Sequence, residues 1–323
     1  TTGTSNIAVG YQSLGANTTG NLNVAVGNYS LDANTVGDRN VAVGYNALTA
    51  YNPDSNEDSY NVAVGYGAGG NITTGNQNTA VGGNALDSTT TGIRNVAIGH
   101  NALDANTTGG SNTAVGRSAL GSNTTADNNT AVGREALYGN TTGNQNIAIG
   151  SYASHTNTTG NYNVAIGYQT MEENTTGDSN TAVGYQALEE NTTADGNTAL
   201  GYQALTANTE GHSNTAIGKD SLKTNVDGDR NTALGYGALN VANSPNDNTM
   251  VGYFAGVALT TGASNTAVGS YALDAATTGT WHTAVGYNAL GAITTGNNGT
   301  AFGYQALAAA TVGDNTAIGT QAL

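Results

Sequence analysis

Ten tyrosines stand one residue after the glycine of a recurring N-x-A-[VIL]-G phrase: Tyr11, Tyr45, Tyr66, Tyr168, Tyr185, Tyr202, Tyr236, Tyr253, Tyr287 and Tyr304. Aromatic faces stack on sugar rings, so a row such as Tyr168, Tyr185, Tyr202, Tyr236 and Tyr253 is a candidate ligand stripe for a surface glycan. The structural reading of the same row is a stack that covers a corner or seals a subunit seam, with the hydroxyls left wet. Arg117, Arg134 and Lys219 take the same slot and break the stripe. A second row comes from N-T-T-G segments: Thr18, Thr107, Thr124, Thr141, Thr158, Thr175, Thr192, Thr261, Thr278 and Thr295. Regular threonine rows suit ice binding, but adjacent threonines on a strand point to opposite faces. These also lie beside glycine, where turn chemistry is the expected role. The N-T-T triplets match a glycosylation acceptor, a coincidence expected of turn composition.

Little else in the chain suggests chemistry. His100, His155, His212 and His282 occupy different slots, with no shared metal-ligand spacing, and the chain has no Cys. The segment "YNPDSNED" at 51–58 carries Asp54, Glu57 and Asp58. A solvated loop is expected there rather than a weak Ca²⁺ site. No G-x-S-x-G nucleophile elbow occurs. The expectation is no enzyme, no cofactor and no metal.

The elements that must position these residues follow from a repeat. The anchor Asn recurs through Asn6, Asn23 and Asn40, then Asn61 to Asn265, including Asn163, Asn180, Asn197, Asn214 and Asn231. His282 and Gly299 take the slot in two diverged copies, and Asn315 opens the last of 19. The spacing is 17 residues except for 21 after Asn40 and 16 after Gly299. That period has no room for two helices and a turn. It suits one coil of a parallel β-solenoid, predicted to hold two short strands and two corners. Residues 1–323 read as a single repetitive shaft with 51–58 as an inserted loop, roughly 90 Å long at ~4.8 Å per coil.

Each side chain then stacks on its own counterpart. The anchor asparagines are expected to form an amide ladder, each amide bonding its neighbours above and below. The valines at Val9, Val26, Val43 and Val64 and the leucines at Leu188, Leu205, Leu222 and Leu239 are expected to point inward. Ala182 and Ala199 would then point outward as a small-residue seam. About two large apolar side chains per coil make a thin core. With the seam, that predicts self-association, as a homotrimer and with end-to-end joining possible.

Composition agrees with a rod rather than a globule. Charged residues are 9%, glycine is present 47 times, proline twice and tryptophan once. A net charge of −15 excludes a phosphate-neutralising surface, so neither nucleic acid nor an anionic membrane is an expected partner. No apolar run of membrane-spanning length exists. The chain starts and stops within its repeated phrase and reads as a section of a longer protein.

The motif [NS]-x-A-[VI]-G-x-x-A, as in "NVAVGNYSL" at 23–31 and "NIAIGSYAS" at 146–154, resembles the head repeats of YadA-type trimeric autotransporter adhesins. Each copy is longer than that family's repeat by a turn segment, typically N-T-T-G, and in that respect looks like repeats of phage tail-fibre shafts. The resemblance implies a trimeric β-roll and an extracellular, cell-surface or virion fibre. The expected function is a stiff spacer supporting host or surface attachment, with an ice- or glycan-binding solenoid as the alternative.

Overall fold

A computed structural model describes residues 2–55 and 58–323. It divides into two compact units, Thr1–Tyr162 and Asn163–Leu323. The first holds nine strands of three residues, from Ile7–Val9 to Ile147–Ile149; the second holds ten, from Val164–Ile166 to Thr316–Ile318. Within each unit, successive strands are parallel and in register. Val24, Ala25 and Val26 lie opposite Val41, Ala42 and Val43, and Thr181, Ala182 and Val183 lie opposite Thr198, Ala199 and Leu200. The all-β solenoid with a coil of about 17 residues is the architecture of both units.

The strand is short because glycine ends it. In Thr181–Val183 the β-branched residues favour extended backbone. Gly184 then takes φ 141°, a region L side chains rarely adopt. The second strand expected in each coil is not formed. Gln186 and Leu188 sit at φ 51° and 54°, so the chain winds through alternating left-handed residues instead. Hydrogen bonds between coils persist through this winding, as from Leu188 N–H to Ala204 O at 3.0 Å and from Glu190 N–H to Thr206 O at 3.0 Å. A left-handed leucine costs about 1–2 kcal/mol. Fully burying its side chain contributes about 1.5–3 kcal/mol, which offsets the strain. Leu188, Leu205, Leu222 and Leu239 are all 0% exposed.

The expected direction of the strand side chains is reversed. Ala182 and Ala199 point inward and are fully buried, whereas Val9 and Val64 are exposed and Leu200 and Leu234 stand outward in the same slot. The interior is too narrow for a branched side chain opposite the leucine column. One coil demonstrates this limit. Met250 replaces the inward alanine, and Gly256 replaces the leucine of the same coil. A Cβ on Gly256 would lie 2.6 Å from the Met250 sulfur. The large residue fits only because its neighbour has lost a side chain.

The inserted segment is partly built into the coil. Tyr51 and Pro53 are buried and Asp54 is exposed. Asp58 accepts from Arg39 Nε at 2.8 Å and from the Tyr60 hydroxyl at 3.1 Å. Glu57 lies outside the described residues.

Candidate functional site

The tyrosine column follows the strand-ending glycine, whose turn sends the next side chain outward. In the second unit, Tyr168, Tyr185, Tyr202, Tyr236 and Tyr253 are 40–46% exposed. Their rings stack on one another: Tyr168–Tyr185 at 5.6 Å and 14°, Tyr185–Tyr202 at 5.1 Å and 7°, Tyr236–Tyr253 at 5.4 Å and 14°. Lys219 interrupts the aromatic residues but not the contact. Its ammonium lies 5.4 Å from the Tyr202 ring centre and 5.6 Å from that of Tyr236, an arrangement favoured by the ring quadrupoles. In the first unit Arg134 lies over Tyr152 at 4.4 Å, and Arg117 pairs with Glu135. Inside such a stack the ring faces cover each other, so a sugar meets edges and hydroxyls rather than open faces.

The anchor asparagines are buried, and their amides bond chiefly to backbone rather than to each other. Asn163, Asn180, Asn197, Asn214 and Asn231 each donate from Nδ2 to a carbonyl 14 residues on, at 2.7–2.8 Å. Oδ1 of Asn163, Asn180, Asn197 and Asn214 accepts the backbone N–H of the next anchor at 2.9 Å. One amide thus closes its own coil and ties it to the next. The amide-to-amide ladder belongs to a different residue, the Asn of N-T-T-G. Asn123 donates to Asn106 at 2.9 Å, Asn140 to Asn123 at 2.9 Å and Asn191 to Asn174 at 2.7 Å. Sequence reasoning took this Asn for turn chemistry alone. Its signal is an unbroken run of Asn at the 17-residue spacing from Asn106 to Asn225.

The corner threonines are committed to backbone. Thr107, Thr124, Thr175 and Thr192 donate from Oγ1 to the carbonyl of the matching residue in the next coil at 2.9–3.1 Å. Thr261, Thr278 and Thr295 occupy the adjoining, exposed slot. The outward threonines are on the strands, as at Thr198, Thr215 and Thr232. The row beside them is uneven, with Leu200, Ile217 and Leu234, so no level hydroxyl plane results.

His282 reproduces the anchor amide with an imidazole. Nδ1 accepts from Gly299 N–H at 3.0 Å, and Nε2 lies 2.6 Å from Gly296 O. That pair of contacts assigns the proton to Nε2. The ring fits because Gly299 follows it; a Cβ there would lie 3.0 Å from Nδ1. Burial lowers the His282 pKa below 6.5, against the opposing effect of its two backbone partners. The folded state therefore binds fewer protons than the unfolded state below pH 6.5, and stability falls as pH falls through that range. We expect the melting temperature to drop between pH 7.5 and 5.5, and His282→Asn to reduce that drop. Equal pH dependence in the two proteins would remove the assignment. Burial also raises the Asp87, Asp104, Asp274 and Glu189 carboxyls. Their effect has the opposite sign: it favours folding at low pH and is lost as pH rises through the raised values.

Among the described residues, no three His, Asp or Glu converge as metal ligands, and no helix is long and apolar enough to cross a membrane. No protein-family model matches the chain, and no curated protein matches it.

Proposed function

We propose that the chain is a structural spacer, part of an extracellular or virion fibre shaft, and that copies of it associate along the outward face of the strands as a trimer. The observation that carries this reading is that face. It consists of two columns, the residues on either side of the buried alanine. In all 19 copies these are Thr, Val, Ile, Leu or Phe and never a charged residue. On a chain of net charge −15, this is where copies can approach without like-charge repulsion. Leu200, Leu234 and Phe302 are 46%, 43% and 56% exposed on it. The seam therefore moves from the alanines to these columns. The rest of each coil serves stiffness: backbone bonds, amide columns and stacked rings all repeat at the coil spacing.

Leu200→Lys combined with Leu234→Lys tests the reading. Both side chains are exposed in the single chain, so each should cost less than about 0.5 kcal/mol of its folding stability. Sedimentation equilibrium should find a trimer for the parent and a monomer for the double variant. A parent that stays monomeric across the concentration range rejects the association.

A further inference from the structure

One coil of the first unit lacks three side chains that others carry. Gly67, Gly69 and Gly70 stand where the coil at Asn180 has Gln186, Leu188 and Glu189. Gly69 faces inward, and the gap is closed: a Cβ there would lie 3.0 Å from both Ile72 and Leu48. Gly67 and Gly70 face outward, and their gap is left open. It is a notch of about 260 Å³ lined by Asn46, Thr49, Tyr66, Asn71, Asn84 and Asp87. A Cβ on Gly67 would reach 2.8 Å from Asn84 Oδ1, and one on Gly70 would reach 3.0 Å from Asp87 Oδ1. The missing side chains are therefore what uncovers those two oxygens. In the second unit, Gly237 takes the same slot as Gly67, and there the Phe254 ring fills the space.

Tyr66 borders the notch and stands at the end of its stack. One ring face stacks on Tyr45 at 5.5 Å and 11°. The next coil has Gly83 in the tyrosine slot, so the other face is uncovered, and the residue is 63% exposed. We infer that this notch is a binding site for a single pyranose ring, with the Tyr66 face against the sugar's C–H face and Asn46, Asn84 and Asp87 on its hydroxyls. A sugar needs an apolar surface beside donors and acceptors. Carboxamides supply both, and a carboxylate accepts from two hydroxyls. The side chains of Asn46, Thr49, Asn84 and Asp87 make no hydrogen bond to another described residue, so each has capacity for a ligand. Desolvation of the Asp87 carboxyl accords with a group that gains from a hydroxyl partner. The volume lies below the ~300 Å³ at which clefts begin to hold larger ligands, which sets the limit at one ring. The site is independent of the spacer reading: a shaft without it remains a shaft.

The test is titration of the full chain with methyl glycosides of glucose, galactose, mannose and N-acetylglucosamine, read by saturation-transfer NMR and calorimetry. At least one should bind saturably in the millimolar range. Gly67→Gln restores the side chain that Gln186 and Gln203 carry in the same left-handed slot, so it should fold normally while weakening binding at least tenfold. Tyr66→Ala should do the same, with both variants keeping the parental circular dichroism spectrum and a cooperative melt. No saturable binding to any of the four, or binding untouched by Gly67→Gln, overturns the site. Binding that appears only with added calcium and vanishes with a chelator assigns the notch to a cation and overturns it too.

Discussion

Gly184→Ala is expected to destabilise the coils around it by more than about 4 kcal/mol, a loss at the extreme of what single substitutions do. Two costs coincide. The residue has φ 141°, in a region that only glycine enters without strain. An added Cβ would lie 2.7 Å from the carbonyl carbon of Gly201 and nearer still to its oxygen. Both obstructing atoms are backbone, held in register by the ladder, so neither can give way as a side chain would. Because each coil touches only its neighbours, the damage should be local. Hydrogen exchange should show lost protection around Gly167, Gly184 and Gly201, with distant coils of the same unit retained. An alanine variant with parental protection and melting temperature would show that the backbone there shifts freely.

Asn197→Ala should cost about 2–4 kcal/mol. The substitution strands the Asn214 N–H, which donates to Oδ1 at 2.9 Å, and leaves the Gly211 carbonyl, which receives Nδ2 at 2.8 Å, with the Asn208 amide as its one side-chain donor. A buried group left without a partner costs about 1–3 kcal/mol, and the lost carbonyl bond about 1 kcal/mol more. Asn197→Asp separates the two bonds. Its carboxylate still accepts from Asn214 N–H but turns an oxygen toward the Gly211 carbonyl, and protonation restores a donor. The aspartate variant should therefore recover stability as pH falls, and the alanine variant should not. Chemical denaturation at pH 7 and pH 4 distinguishes them. Matching pH dependence would mean that Nδ2 contributes nothing.

The repeat itself was legible in the letters, because a solenoid stacks each residue on its counterpart and so forces the spacing into the sequence. The parallel register, the strand at N-x-A-[VIL]-G, the glycine that ends it and the buried leucines all follow from that spacing and from residue chemistry. Periodicity of two also established that Ala182 and Val183 point to opposite sides. It did not say which side was inside, and the usual rule that the larger apolar residue is buried gave the wrong answer. What decides is the width of the coil, a tertiary quantity. The interior already holds the leucine and two asparagine columns, leaving room for a methyl group. A trace of this was present in the sequence: the inward slot is alanine in nearly every copy, while the outward slot accepts Val, Ile, Leu and Phe302.

The second strand failed for a related reason. Leu188 reads as a strand residue, yet closing a 17-residue coil requires left-handed backbone there, and only burial against neighbouring coils makes that affordable. The role of the tyrosines was likewise set by contacts rather than by type, since a ring whose two faces are covered differs chemically from Tyr66 with one face open. Sequence by itself determined that this protein is a stack of like coils bearing aromatic, amide and hydroxyl columns. The tertiary structure alone decided which columns are spent on holding the coils together and which remain available to a partner, because that depends on how much room each coil leaves inside and what the next coil places beside it.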